Sequence, residues 1–476
     1  MVLVTRLRTP LFVAGLLVAV LPASAAAQPV TQATGDPYYE FLMAQWLEAQ
    51  GDAAGALAAL QRAAALDTRS AAVRAEIAAF QMRRNRRDEA EKAAGEALAL
   101  DADNADAHRV LGLILAGRAD VTGRAQTAAI AAGAREAIAH LEKASASTAS
   151  ASDVNLLYTL GRLYLRNGDA EKAVQTLMRV VGLNPDSSQA RLTLAQAYVG
   201  ANNLESAIGT LEEVAADEPR VSATLGQYLE QAGRSADAAL AYGRAITLAP
   251  TNGELKFRRL AALFNAGQFS EAATLAAEAQ QQHPDDIRFP RIRAQALLQS
   301  GAGARAIDVL EPVARANPSD VATLFALADL YTDAGRFSDA ERTMRQLLNV
   351  TPDNADALNY LGYQLAQRGV QLDEAIRLVR KALDIEPDNP TFLDSLGWAY
   401  FRRGDVDSAE RYLAPAADKL PKNSVIQDHL GDVLARRGRW QDAVTAWTRA
   451  LEGDGEGVDR QALTKKIDDA RAKVQR

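Results

Sequence analysis

Cysteine is absent from the 476-residue chain, which excludes disulfide frameworks, zinc ribbons, thiol nucleophiles and lipid attachment through an N-terminal Cys, and leaves the redox compartment open. Positive charge is in deficit. With 53 Lys and Arg against 60 Asp and Glu, the formal net charge is −7 and the pI about 5.4, so the basic footprint that nucleic-acid backbones require is missing. Aromatic residues make up only 6%, and Ala dominates the apolar set, a composition suited to helices packed through small side chains. Histidine occurs four times, at His108, His140, His283 and His429, with no HExxH arrangement, and no Gly-rich phosphate loop is present. The chain therefore reads as a non-enzyme with no catalytic residue, cofactor or metal. Asp428, His429 and Asp432 form the sharpest polar cluster; the reading as a polar helix face is preferred to a shared metal.

Long hydrophobic runs are confined to the start. Arg6 and Arg8 precede the apolar stretch Leu11 to Leu21, and Pro22 and small residues ending Ala25-Ala26-Ala27 follow, the order of a secretory signal peptide over residues 1–27. An 11-residue run is short of the roughly 20 residues needed to cross a bilayer, so cleavage near Ala27 is preferred to a retained anchor. Cleavage takes the net charge from −7 to −9 and leaves no later membrane span, which predicts an exported protein, periplasmic or secreted and not lipid-anchored through Cys. Residues 28–36 read as a flexible leader.

Beyond that leader the chain repeats itself. Pro185, Pro219, Pro250, Pro284, Pro318, Pro352, Pro387 and Pro421 are separated by 34, 31, 34, 34, 34, 35 and 34 residues. Between them one pattern returns, clearest at Gly397, Tyr400, Gly404, Ala409, Leu413, Ala416 and Pro421. Gly inside a helix costs about 1 kcal/mol relative to Ala, so its return at Gly161, Gly226, Gly362, Gly397 and Gly431 implies a site where only a small residue admits a neighbouring helix. A second series, from Gly168 to Gly438, marks the turn inside each helical hairpin, and after each proline Asp, Asn or Ser, as in Pro352-Asp353-Asn354, can cap the next helix.

These residues resemble the tetratricopeptide repeat (TPR), a 34-residue pair of antiparallel helices. The resemblance implies an all-α protein, a TPR α-solenoid superhelix of twelve repeats from Pro37 to Glu452. Residues 37–152 are read as degenerate repeats, with about 13 extra residues near 117–130 that lengthen a helix or form a loop, and residues 153–452 as the regular array. Ser145 to Ser152 is read as a linker, and the 31-residue gap between Pro219 and Pro250 as one shortened inter-repeat turn. Val458, Leu463, Ile467, Ala470 and Val474 share one face of a helix within 458–476 that caps the array.

The resemblance also implies a concave groove lined by the first helix of each pair. In the ninth to twelfth repeats its inward positions are Phe325, Asp329, Asn359, Tyr363, Asp394, Trp398, Phe401, Asp428 and Asp432, an aromatic and acidic surface; further back, Phe257, Phe264, Arg288 and Arg291 are more basic. Trp398 is either a partner anchor or a packing residue, and as a groove residue, Trp398→Ala with Asp394→Lys would leave the helical signal intact. The closing repeats, through Asn359-Tyr360-Leu361-Gly362-Tyr363 and Asp394-Ser395-Leu396-Gly397-Trp398, look like those of exported bacterial TPR proteins, among them periplasmic adaptors of carboxy-terminal processing proteases. The implied role is a periplasmic or envelope scaffold for one or more proteins or peptides, such as an envelope protease and its substrates. A component of exopolysaccharide export or cell-wall synthesis is the alternative.

Overall fold

The computed structural model describes residues 35–121, 128–214 and 218–474. The proposed signal peptide lies outside the described residues, as does most of the leader. Among the described residues there are 25 helices and no strand, and no helix is long and apolar enough to cross a membrane. Helices α1 (Pro37–Ala49) to α24 (Trp440–Glu452) alternate as first and second helices of the repeats, and α25 (Arg460–Val474) follows.

Local chemistry fixes each pair. The first helices are mostly opened by a side-chain cap: Asn354 accepts the Ala357 amide at 2.8 Å and Asn423 the Ile426 amide at 3.0 Å, satisfying donors that have no partner inside the helix. The turn to the second helix needs a left-handed residue. Gly335 supplies it at φ 70°, and where the sequence has no Gly, Asn85 and Asn202 take the same position at φ 57° and 56°. Second helices then bury small residues two turns apart, such as Ala375 with Ala382 and Ala409 with Ala416, all at 0% exposure.

Small-into-large contacts lock the two helices together. A Cβ on Gly397, in α21 (Pro390–Arg403), would lie 2.6 Å from Leu413 Cγ and 3.0 Å from the Ala409 carbonyl oxygen, both in α22 (Val406–Lys419). Gly161 meets Leu177, Gly226 meets Tyr242 and Gly431 meets Trp447 in the same way. Gly397→Ala is therefore expected to destabilise the array by about 1–3 kcal/mol through overpacking, despite its better helix propensity. Gly182→Ala, with open space around its Cβ, is expected to leave stability unchanged or raised. Thermal denaturation followed by circular dichroism checks the pair, and equal melting of the two variants would contradict the close-approach argument.

The chain divides into two compact units: residues 1–201 hold the four pairs α1 to α8 (Ala170–Leu183) and the helix α9 (Ser188–Gly200), and residues 202–476 hold α10 (Leu204–Glu212), the seven pairs α11 (Pro219–Gln231) to α24, and α25. The Ser145 to Ser152 tract is not a boundary: one core runs across it, joining Leu141 and Ala144 to Leu156 and Leu157, so the tract is a turn inside the first unit. The three missing residues also fall elsewhere than expected. Pro219 opens α11 (Pro219–Gln231) as its first residue, whereas Pro250 precedes α13 (Gly253–Asn265) by three, and the deficit belongs to the preceding repeat, where α10 (Leu204–Glu212) has only nine residues. In the third pair, α5 (Ala105–Val121) and α6 (Ala128–Ser145) have 17 and 18 residues; the rest of the extra segment lies outside the described residues. At the C-terminal end Leu463, Ile467 and Ala470 of α25 are buried with Trp447 and Leu434, but Val474 is 45% exposed, one turn beyond the packed stretch.

Candidate functional site

The first helices of the last four pairs are α17 (Val321–Asp333), α19 (Ala355–Arg368), α21 and α23 (Ser424–Arg436). The repeat length places Phe325, Asn359, Asp394 and Asp428 at one register position and Asp329, Tyr363, Trp398 and Asp432 one turn on. An open concavity of about 700 Å³ lies against them, lined by Phe325, Asn359, Tyr363 and Asp394 together with Asp356 and Tyr360. The other predicted residues are placed differently. Asp329 lines an adjoining concavity of about 540 Å³ with Phe257, Arg288 and Arg291, and Phe401 and Asp432 line a third of about 490 Å³ with Trp440 and Lys466. Trp398 and Asp428 line none of the three.

Trp398 is a packing residue. It is 8% exposed, its indole Nε1 donates to Gln367 Oε1 at 2.7 Å, and its ring stacks on His429 with centroids 3.9 Å apart and planes 12° apart. Phe401 stacks on it at 5.2 Å. Asp394 is 4% exposed, at the wall of the 700 Å³ concavity, and shares a hydrogen bond of 2.9 Å with His429 Nδ1. The Asp394–His429 pair thus ties α21 to α23 from inside the wall. Burial, helped by the Asp394 charge, pushes the Tyr363 hydroxyl up to about 12, which keeps it a neutral phenol at physiological pH.

The acidic pair at the end of the groove is already occupied. Lys466 of α25 places Nζ 2.7 Å from Asp428 Oδ1 and 2.7 Å from Asp432 Oδ1, and the Trp447 indole donates to Asp432 at 3.2 Å. Burial raises the Asp432 pKa, and Lys466 works against that rise. With His429 held by Asp394 and both aspartates held by Lys466, the three residues of this cluster do not converge on a common point, and no group of three metal-binding side chains occurs among the described residues.

Further along, Asp329 accepts the Tyr360 hydroxyl at 3.2 Å, and Phe325 meets the Tyr360 ring edge-on at 5.5 Å. The Asn359 carbonyl oxygen is buried without a hydrogen-bond partner. Arg288 is held by Glu254 and Asp286, each at 2.8 Å, and its guanidinium lies over Phe257. Position in the repeat did not single out Tyr360, Asp356, Gln367 or Lys466. Asp356 and Tyr360 flank the inward positions by three and one residues, a signal that a wider inward stripe captures; Lys466 comes from outside the repeat and carries no such signal.

The repeat geometry is matched by family models. Two models described as tetratricopeptide repeat match residues 47–114, 297–361 and 365–433, and residues 192–253, 223–287 and 257–321. The chain belongs to the tetratricopeptide repeat family. A model described as anaphase-promoting complex, cyclosome, subunit 3 matches residues 133–214. Among curated proteins, this TPR protein is 28% identical over 178 residues to a TPR repeat-containing protein of Pseudomonas aeruginosa, covering 37% of this chain and 30% of that one. It is 26% identical over 228 residues to cellulose synthase operon protein C of Escherichia coli, covering 47% of this chain and 18% of that one. The chain thus spans less than a third of the length of these relatives. Yeast Tom70 aligns over 92% of this chain and 96% of its own, with 14% identity and a TM-score of 0.40. TPR arrays are scaffolds for protein–protein interaction.

Proposed function

We propose that this protein is a non-catalytic scaffold of the bacterial periplasm or envelope that holds partner proteins in the groove of its last four repeats, as an adaptor for a protease or an assembly machine. The observation that carries this reading is the 700 Å³ concavity, in which aromatic walls (Phe325, Tyr363) stand beside unsatisfied or exposed polar groups (Asn359, Asp356). The order of charged, apolar and small residues in 1–27 supports export. In this reading Phe325, Asp329, Asn359 and Tyr363 face or flank the partner, while Asp394, Trp398, Phe401, Asp428 and Asp432 hold the wall and its end.

The test is affinity purification from an envelope extract, with Phe325→Ala/Tyr363→Ser as the control. Recovery of a protease with its substrates by the native protein, and their loss with the double variant, is the expected result. Identical recovery by the double variant at unchanged helicity would remove the groove from the mechanism. The likeness to cellulose synthase operon protein C favours a second reading, a component of polysaccharide export or cell-wall synthesis, in which aromatic side chains stack on sugar. Recovery of glycosyltransferases or soluble glycan in the same experiment selects it.

A further inference from the structure

The groove has a chemical preference that its repeat pattern does not dictate. Its 700 Å³ concavity carries two carboxylates, Asp356 and Asp394, among amides and hydroxyls, and two of its acceptors are open: Asp356 is exposed, and the Asn359 side-chain oxygen is buried with no donor. Asp329, at the inner edge of the adjoining concavity, is exposed and accepts only the neutral Tyr360 hydroxyl among the described contacts. No Lys or Arg lines the 700 Å³ concavity; the adjoining one also carries Arg288, held by Glu254 and Asp286, and Arg291. The apolar part of the wall is Phe325, Phe392 and Ile426.

The same helix face already shows what such acceptors hold. Asp428 and Asp432 occupy the register positions of Asn359 and Tyr363, two repeats further on, and there an ammonium, that of Lys466, sits 2.7 Å from each carboxylate. Burial works to lower the Lys466 pKa, yet the two aspartates raise it, so the cation is held charged in a site of limited exposure. Lys466 belongs to α25, which comes from outside the repeats, so this end of the face is filled by a cationic segment of the chain itself.

We infer that the open stretch of the groove takes an extended, cationic peptide segment of a partner, with Lys or Arg side chains against Asp356 and Asp329 and apolar side chains against Phe325. The inference rests on the proposed reading of the groove as a partner surface and adds the charge of the partner. Adjacent helices lie about 8–10 Å apart, and a chain in the extended polyproline II conformation advances about 3.1 Å per residue with about three residues per turn, so every third side chain returns to the groove about one helix further on. A cationic residue at every third position matches that spacing. Opposite charge across the groove selects against acidic segments as much as it attracts basic ones.

The test measures fluorescence anisotropy of the full chain with labelled acetyl-KSLKSLKSL-amide and its counterparts carrying Glu or Gln in place of Lys. The expected result is binding of the Lys peptide at least tenfold tighter than the Gln peptide, no measurable binding of the Glu peptide, and at least fivefold weakening by Asp329→Asn/Asp356→Asn. Added salt should weaken the Lys peptide alone. If all three peptides bind alike and Phe325→Ala weakens them alike, the charge preference is overturned while the groove reading stands. If neither Phe325→Ala nor the aspartate pair alters any binding, both fall. Binding of cellohexaose, lost in Phe325→Ala, with none of the peptides bound, overturns the cationic occupant in favour of a glycan.

Discussion

Asp394→Lys is expected to unfold the last repeats of the array, where a groove position would tolerate the change. The Asp394 side chain is 6% exposed and its partner His429 is 7% exposed, with the Trp398 ring stacked on that imidazole. A lysine there leaves His429 without its acceptor and adds an ammonium with no counter-ion in a closed space, and removing one partner of a buried pair costs about 3–5 kcal/mol. Trp398→Ala costs about 3–5 kcal/mol by itself, through the void between α21 and α23 and the loss of its bond to Gln367. The two changes share the same contacts, so their effects will not add. Because neighbouring repeats stabilise one another, the damage should be read locally, as lost hydrogen-exchange protection across α21 and α23 together with a lowered melting transition. Asp356→Asn, at an exposed groove position, should change neither. Native-like protection in Asp394→Lys would show that the Asp394–His429 pair contributes little and would return Asp394 to the groove.

That expectation reverses the one drawn from register alone, and the reason locates what a repeat sequence discloses. Register followed from backbone necessity: Gly397 leaves no room for a Cβ against Leu413, Gly335 needs a left-handed turn, and Asn354 caps a helix, so residue type at those places is dictated by geometry and repeats with it. The helical repeat was legible for that reason, even in the Ala-rich first repeats, where Asn85 stands in for the turn glycine. Side chains on the inward face carry no such constraint. Asp394 and Asp329 read alike as inward carboxylates, but one is buried and the other exposed, because the partner of each comes from another repeat: His429, 35 residues on, for the first and Tyr360, 31 residues on, for the second. The shortened repeat was misplaced for a related reason. Counting from proline assumes a fixed place for proline, and Pro219 is a first helical residue whereas its counterparts precede the helix.

Deletion of residues 458–476 is expected to lower the melting transition of the C-terminal pairs by about 10 °C or more and to promote aggregation. Leu463 and Ile467 are buried against Trp447, Val444 and Leu434, and losing two such side chains forfeits about 3–6 kcal/mol while exposing the apolar face of α24. The deletion also strips Asp428 and Asp432 of Lys466, and Lys466→Met isolates that part because it keeps most of the side-chain volume. Its signature is pH dependence. Asp432 already has a pKa above the ordinary 3.8, through burial, and Lys466 holds that rise in check; without it the carboxylate is pushed higher still. A group whose folded-state pKa is raised binds more protons folded than unfolded in the window from 3.8 up to that raised value, so stability increases as pH falls through the window. The deficit of Lys466→Met relative to the native protein should therefore be largest at pH 7.5 and shrink toward pH 4.5, measured by thermal denaturation across that range. A deficit constant with pH would mean that Lys466 acts through its methylene stem and its contact with the Trp447 ring, and that the aspartates tolerate its loss. If the deletion leaves melting and solubility unchanged, α25 is not the cap of the array, and Asp428 and Asp432 rejoin the open groove.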